Sequence, residues 1–259
     1  MENSLVLYKV EKRIAYLTLN RAEKRNAFNP DLVKQLTDAL LKAQDDEAAK
    51  VVVIKANGEV FSAGADLAYM QQLQHFSYDE NVADSNNLKT LFETIRTLSK
   101  VVIAQVEGHA IAGGCGLATI CDVIFAVPEA KFGYTEVKLG FVPAIVSCYL
   151  VQKTGETLAK KLLLSGELFT ADEALQYNLI TYVTKAADIC QTVENFALDL
   201  CNNASGNSLM LTKQLINQAT KTWLGDCLTN AVSINAKTRE SEDFKRGIGA
   251  FLAKEKINW

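Results

Sequence analysis

Three short, nearly unbroken apolar runs constrain this chain most: Val51-Val52-Val53-Ile54, Val101 to Val106, and Val123-Ile124-Phe125-Ala126-Val127. A strand with one solvated face alternates apolar and polar side chains. A strand that does not alternate is buried on both faces, the situation in a parallel sheet covered by helices. Two further strand-like segments, Leu5 to Val10 and Ile14 to Leu19, flank Glu11-Lys12-Arg13 and read as a hairpin. A helix is expected from Asn29-Pro30, where Asn can cap and Pro suits the first helical position, with Leu32, Leu36, Ala39, Leu40 and Ala43 on one face. The polar stretch from roughly 67 to 99 has helical character, and its middle, near His75 to Asn87, is the expected mobile region.

Beyond about residue 185 the pattern turns helical throughout. Ile189, Val193, Phe196, Ala197, Leu200 and Cys201 form a 3.6-period stripe, and further helical segments follow from about 207 to 222 and on to Lys256. Strand-helix units followed by a helical region predict an α/β fold, with a core over 1–185 and a helical extension over 186–259. No internal repeat or low-complexity linker is visible.

Composition removes several classes of function. A formal net charge of -3 gives no global attraction for nucleic acid or an anionic membrane, although Arg21, Lys24 and Arg25 form one local basic cluster. The six cysteines form no CxxC pair, and most sit in apolar stretches, as small buried hydrophobes do in a reducing compartment. His75 and His109 stand at no metal-ligand spacing from a cysteine, so no metal site is expected. No segment approaches the roughly 20 apolar residues that span a bilayer. Met1-Glu2-Asn3-Ser4 lacks the basic start of a signal peptide, so the expected location is the cytoplasm.

Chemistry points to two glycine-containing segments. Val60-Phe61-Ser62-Ala63-Gly64-Ala65-Asp66-Leu67 follows the run at 51–56, and Glu107 to Leu117, containing Ala112-Gly113-Gly114-Cys115-Gly116, follows the run at 101–106. Each puts small residues where a strand gives way to a helix, so exposed N–H groups and the helix dipole favour a developing negative charge. Two such amides converging on one point would make an oxyanion hole. Either segment alone is a packing device more often than a catalytic one. A P-loop is excluded, because no Gly-Lys-[Ser/Thr] is present. A dinucleotide fingerprint fails as well: Thr119 takes its sixth position, and the few residues from Gly116 to Cys121 leave no room for a crossover helix.

Five motifs in order resemble the enoyl-CoA hydratase/isomerase (crotonase) superfamily over nearly the whole length. They are Leu19-Asn20-Arg21…Arg25-Asn26-Ala27-Phe28; Phe61 to Leu67; Ala112 to Ala118 with Cys121-Asp122; Lys131-Phe132-Gly133…Glu136…Leu139-Gly140…Pro143; and Ser241-Glu242-Asp243…Ala250-Phe251…Lys254. The resemblance implies a crotonase spiral of ββα units with a helical C-terminal oligomerisation region, assembled as a homotrimer or homohexamer. It implies an acyl-CoA thioester substrate and no cofactor other than the coenzyme A of that substrate. It assigns the oxyanion-hole amides to Ala65 and Gly113. Arg25, Asn26, Ala27, Ala63, Gly64, Asp66, Leu67 and Gly114 fall at the thioester and CoA positions, and Phe251 and Lys254 at C-terminal positions that close the site.

Hydratases of the best-known type in this family use two glutamates. Glu136 matches the second, while the first position holds Gly116. One carboxylate suffices for a 1,3-proton shift, so a Δ3-Δ2-enoyl-CoA isomerase is an alternative to a hydratase. The segments Gly113 to Leu117 and Phe132 to Ile145 resemble bacterial methylglutaconyl-CoA hydratase-like proteins more, which favours hydration of a branched, carboxylated enoyl-CoA. A non-catalytic acyl-CoA-binding or RNA-binding relative is the alternative of another class. The acidic balance disfavours the RNA reading, and the presence of Ala65, Gly113 and Glu136 disfavours the silent one. Asp66 and Asp122 read as structural carboxylates, and His109 as a satisfied histidine.

Overall fold

The computed structural model describes residues 4–257 and 259; Met1, Glu2 and Asn3, on which the N-terminal leader was judged, lie outside the described residues. The strands are β1 (Val6–Glu11), β2 (Ile14–Leu19), β3 (Val51–Ala56), β4 (Val60–Ser62), β5 (Val101–Val106), β6 (His109–Ile111), β7 (Val123–Ala126), β8 (Lys131–Gly133), β9 (Leu168–Thr170) and β10 (Tyr182–Val183). The helices are α1 (Pro30–Asp45), α2 (Leu67–Leu73), α3 (Tyr78–Thr97), α4 (Gly113–Ile120), α5 (Ala144–Ser165), α6 (Ala171–Gln176), α7 (Ile189–Asn203), α8 (Gly206–Gln218), α9 (Lys221–Glu240) and α10 (Glu242–Ala253). A 3-10 turn spans Glu136–Leu139.

The apolar runs take the place expected of them. The larger sheet has the order β1-β2-β3-β5-β7-β10. Only the β1–β2 hairpin is antiparallel; β2, β3, β5, β7 and β10 run parallel. Val51 to Ile54 and Val102 to Ala104 are fully buried, as strands covered on both faces must be. Asn29 caps α1 by accepting from the Leu32 N–H at 2.9 Å, with Pro30 in the first turn.

A second sheet, β4-β6-β8-β9, escapes sequence reading because its strands are three residues long and hold too few positions to show a period. Three strands of the larger sheet are each followed by one of them: β3 by β4, β5 by β6, β7 by β8. This is the repeated strand-strand-helix turn of the spiral, and no repeat in the residues announces it. The step from β6 to β7 corrects one expectation. A crossover helix does fit there, because α4 begins in the glycines themselves and runs to Ile120. His75 to Asn87 is mostly helix, and Ser77 and Glu80 exchange capping bonds at its start.

The helical third packs onto the core through Ile189, Val193, Ala197 and Cys201 of α7, all buried. All six cysteines are free thiols, and Cys227 on α9 meets Cys148 on α5 at 2.6 Å between sulfurs. A small separate core of Met70, Phe244 and Ile248 joins α10 to α2. There the α10 backbone lies so close to the Glu136–Leu139 turn that a Cβ on Gly247 would sit 2.1 Å from the Leu139 carbonyl oxygen. Gly247→Ala therefore forces α10 off the turn. The expected loss is about 1–3 kcal/mol, the usual cost of overpacking, read as a lower urea midpoint; an unchanged midpoint would refute this docking.

Candidate active site

A cavity of about 870 Å³ opens between the motif loops, the Glu136–Leu139 turn, and helices α2, α3, α9 and α10. Lys24, Arg25 and Ala27 line it on one side, and Ala63, Ala65, Asp66 and Leu67 on the next. Gly113, Glu136 and Phe251 line it too, so one space gathers residues as far apart in the chain as Lys24 and Phe251.

The two glycine segments converge. Phe28 N–H donates to Gly64 O at 2.6 Å and Asp66 N–H to Phe28 O at 2.8 Å, which skips Ala65. Gly113 is the first residue of α4, where no intrahelical acceptor exists. Neither the Ala65 N–H nor the Gly113 N–H has an acceptor among the described residues. The loops nearly touch: Gly64 has φ +84°, and a Cβ there would lie 2.9 Å from Ala112 Cβ and 3.5 Å from Gly113 N. Ala112 itself takes φ +51° and ψ -124°, a region side-chain-bearing residues avoid and one that concentrates at functional sites. Gly114 packs its backbone against Ser62 of β4.

Glu136 opens the 3-10 turn after β8, and its side chain is buried, with Oε2 lacking a hydrogen-bond partner among the described residues. Burial raises its pKa from 4.5 to about 7, with its own backbone amide opposing. A carboxyl poised near neutrality can both take and return a proton.

At Gly116 the structure is closed. A Cβ there would lie 2.3 Å from Val146 Cγ1 and 3.1 Å from two ring carbons of Phe92. Apolar side chains from α5 and α3 thus fill the space around the position where the resemblance places a second carboxylate.

Several motif residues serve as scaffold. Asn26 is fully buried and spends its side chain on the Arg21 N–H, Asn57 O and Val60 O. Burial pushes the Asp66 carboxyl up, but the Arg21 guanidinium at 2.6 Å and the Tyr69 amide outweigh that and hold it below its ordinary value. Lys254 ends α10 in a left-handed conformation and does not line the cavity; Asn26, Gly64 and Gly114 do not line it either. His109 is exposed, and its Nδ1 accepts from the Lys131 N–H at 3.2 Å. Asp122 accepts from the Val102 N–H and pairs with Lys213.

Sequence reasoning missed the wall contributed by α3 and α9. Asn235 and Arg239, four positions apart on α9, line the cavity although both are buried. Arg239 Nη1 pairs with Asp84 Oδ2 at 2.7 Å and donates to Asn81 Oδ1 at 3.2 Å, and the Tyr69 hydroxyl donates to Asp84 Oδ1 at 2.5 Å. Arg239 Nε and Asn235 Oδ1 have no hydrogen-bond partner among the described residues. Polar residues on the inward stripe of a helix were the available signal. No group of three His, Cys, Asp or Glu that could hold a metal ion occurs among the described residues, and no described helix is long and apolar enough to cross a membrane.

The family profile described as enoyl-CoA hydratase/isomerase matches residues 9–259. The chain is 35% identical to the 2,3-dehydroadipyl-CoA hydratase of Escherichia coli, covering 94% of each chain. It is 31% identical to the crotonyl-CoA hydratase of Syntrophomonas wolfei, over 98% of this chain and 97% of that one. The crystal structure of an enoyl-CoA hydratase from Mycobacterium avium superposes with a TM-score of 0.87 at 32% identity, covering 98% of each chain.

The raised pKa of Glu136 links stability to pH. The folded state holds the proton more tightly than the unfolded chain, so this contribution is complete below about pH 4.5 and is lost as pH rises through about 7. Glu136→Gln stays neutral throughout. Its stability relative to the wild type is expected to rise between pH 4.5 and 7 and then level off, by an amount on the order of 3 kcal/mol. Urea unfolding of both proteins at pH 5 and pH 8 reads the difference; a pH-independent offset would contradict the burial argument.

Proposed function

The chain belongs to the enoyl-CoA hydratase/isomerase family, and on that premise we propose that it adds water across the double bond of a 2-enoyl-CoA thioester. The observation that carries this reading is a buried, partly protonated Glu136 with a free oxygen, in the same cavity as the unpaired N–H groups of Ala65 and Gly113. In the proposed reaction the thioester oxygen accepts from both amides, which stabilise the negative charge that develops as water attacks C3. Ionised Glu136 takes a proton from that water as its oxygen bonds to C3. The same carboxyl then returns a proton to C2 of the enolate, so atoms and charge balance with one acid/base group. No resident cofactor takes part in this scheme; coenzyme A belongs to the substrate.

The residues around the loops support the binding roles. Arg25 and Ala27, with Ala63 to Leu67 apart from Gly64, face the cavity from the motif side and are assigned to the CoA thioester, while Phe251 closes it from α10. Asn26, Gly64 and Gly114 are assigned to holding those loops. Lys254 is assigned to the outer rim. The region 186–259 is assigned to self-association as a trimer or hexamer, a reading supported by the exposed Leu215, Ile216, Trp223 and Ile234 on α8 and α9. A cytoplasmic location is supported by the six free thiols.

The closed position at Gly116 favours a second reading. With one carboxylate, Glu136 can instead move a proton from C2 to C4 of a 3-enoyl-CoA. Product analysis separates the two: hydration yields a 3-hydroxyacyl-CoA, isomerisation a 2-enoyl-CoA. We place the preferred substrate among branched enoyl-CoA thioesters with a carboxylate of their own, such as 3-methylglutaconyl-CoA. Faster hydration of that compound than of crotonyl-CoA is expected, and equal rates would refute the preference.

Glu136→Gln is expected to lower kcat for hydration by about 10²–10⁴-fold, the usual share of a general acid/base. For the wild type, kcat/KM should rise with pH through an apparent pKa near 7, because the carboxylate form is the base that takes the proton from water. Hydration that survives the substitution would remove Glu136 from the mechanism. Gly116→Glu is expected to unfold at lower urea and to gain no hydration rate, because Val146 and Phe92 occupy the space its side chain needs.

A further inference from the structure

We propose that the α3–α9 wall of the cavity recognises an oxygen carried on the acyl chain beyond its double bond. The preferred thioester then has a chain that ends in a carboxylate or hydroxyl rather than a methyl group. The inference rests on the enoyl-CoA reading above and deepens it.

Asn235 and Arg239 are each 4% exposed, yet both line the cavity. Arg239 Nε is a donor without an acceptor, and Asn235 Oδ1 is an acceptor without a donor. Buried polar atoms in folded proteins find partners in protein, water or ligand. Here both atoms belong to cavity-lining residues one helical turn apart. The guanidinium is fixed before anything binds: Asp84 holds Nη1 at 2.7 Å, Asn81 accepts from the same nitrogen, and the Phe141 ring lies 5.8 Å from the guanidinium carbon. Asp84 is in turn fixed by the Tyr69 hydroxyl. A guanidinium held this way loses little freedom when its remaining N–H groups meet an oxygen.

The surrounding wall makes the pair selective. Met70, Leu73, Leu88, Phe141 and Val142 line the cavity as well, and a purely hydrocarbon chain would satisfy them while leaving Nε and Oδ1 unpaired. A hydroxyl oxygen accepts from Arg239 Nε–H and donates to Asn235 Oδ1. A carboxylate accepts from Nε–H and, once the Asn235 amide rotates half a turn, from Nδ2. The shared chemistry is an oxygen placed against Arg239 Nε. Sites built to hydrogen-bond a substrate group reject the analogue that lacks it far more strongly than apolar pockets reject a methylene.

Binding tests this without turnover. Saturated five- and six-carbon acyl-CoA thioesters ending in methyl, hydroxyl or carboxylate are titrated into the full chain by calorimetry. At least one polar-ended series is expected to bind about tenfold or more tightly than its methyl-ended counterpart, a smaller margin than the strongest hydrogen-bonding sites reach. The ratio should collapse in Asn235→Leu, which leaves the Arg239–Asp84 pair in place. It should shrink in Arg239→Lys, which keeps a cation for Asp84. If methyl-ended chains bind as well as both polar-ended ones at both lengths in the wild type, the inference is overturned. The two orphaned atoms would then be held by water that no ligand displaces. Turnover of the matching 2-enoyl thioesters separates this from the broader reading. A binding preference with no hydration of any of them sinks the hydratase assignment alone; hydration with equal affinities sinks the recognition alone.

Discussion

The Asn26 side chain holds the loop on which the site depends. It is wholly excluded from water, and its three hydrogen bonds reach the Arg21 amide and the carbonyls of Asn57 and Val60. Its own carbonyl accepts from the Ser62 hydroxyl at 2.9 Å. One amide side chain thus stitches the turn after β2 to both ends of the short link into β4. Arg21 extends the stitch by donating to Ala27 O and pairing with Asp66, the cap of α2. A buried amide left unsatisfied is costly, so the loop is held to one arrangement. That arrangement leaves the Ala65 N–H without an acceptor among the described residues, on a residue that lines the cavity.

From this anchor it becomes clear why some of the molecule could be read in the residues and some could not. The buried parallel strands, the capped start of α1 and the α7 stripe each express a local rule: no alternation on a doubly covered strand, Asn before Pro at a helix start, a 3.6-residue period. The second sheet expresses none, because a three-residue strand such as β6 or β8 is defined by its neighbours in space. The glycines of the 113–116 segment were visible, but that the helix begins inside them follows from the strained backbone of Ala112, which composition does not reveal. Glu136 was legible through its motif; its perturbed titration follows from burial that only the folded chain supplies. Asn235 and Arg239 had no motif at all. Their inward stripe on α9 also holds Leu228, Ala231 and Val232, and two polar residues among such neighbours mark a departure from a plain core helix.

Gly116 gives the site its chemical asymmetry. With Val146 and Phe92 packed around that position, the space beside Gly116 is hydrocarbon, while the cavity holds the buried carboxyl of Glu136. A neighbouring ionised carboxylate would push Glu136 toward its protonated form by like-charge repulsion. Here burial alone supplies the push, and it acts without competing for the proton.

The helical third therefore shapes the chemistry as well as the outline of the protein. Gly247 lets α10 lie directly on the carbonyl of Leu139, in the same short turn as Glu136. Phe244 on α10 meets Phe141 at 5.3 Å, and Arg239 on α9 lies over that same ring. Moving α10 outward would admit water along this stack. A solvated Glu136 would relax toward the ordinary carboxylate range. In the same movement Phe141 would cease to back the Arg239 guanidinium, leaving Asp84 and Asn81 to orient it alone. Phe141, whose N–H donates to Glu136 O at 3.1 Å and whose ring meets both Phe244 and Arg239, thus ties the short turn to α9 and α10, a link that neither the glycine motifs nor Glu136's own side chain contains.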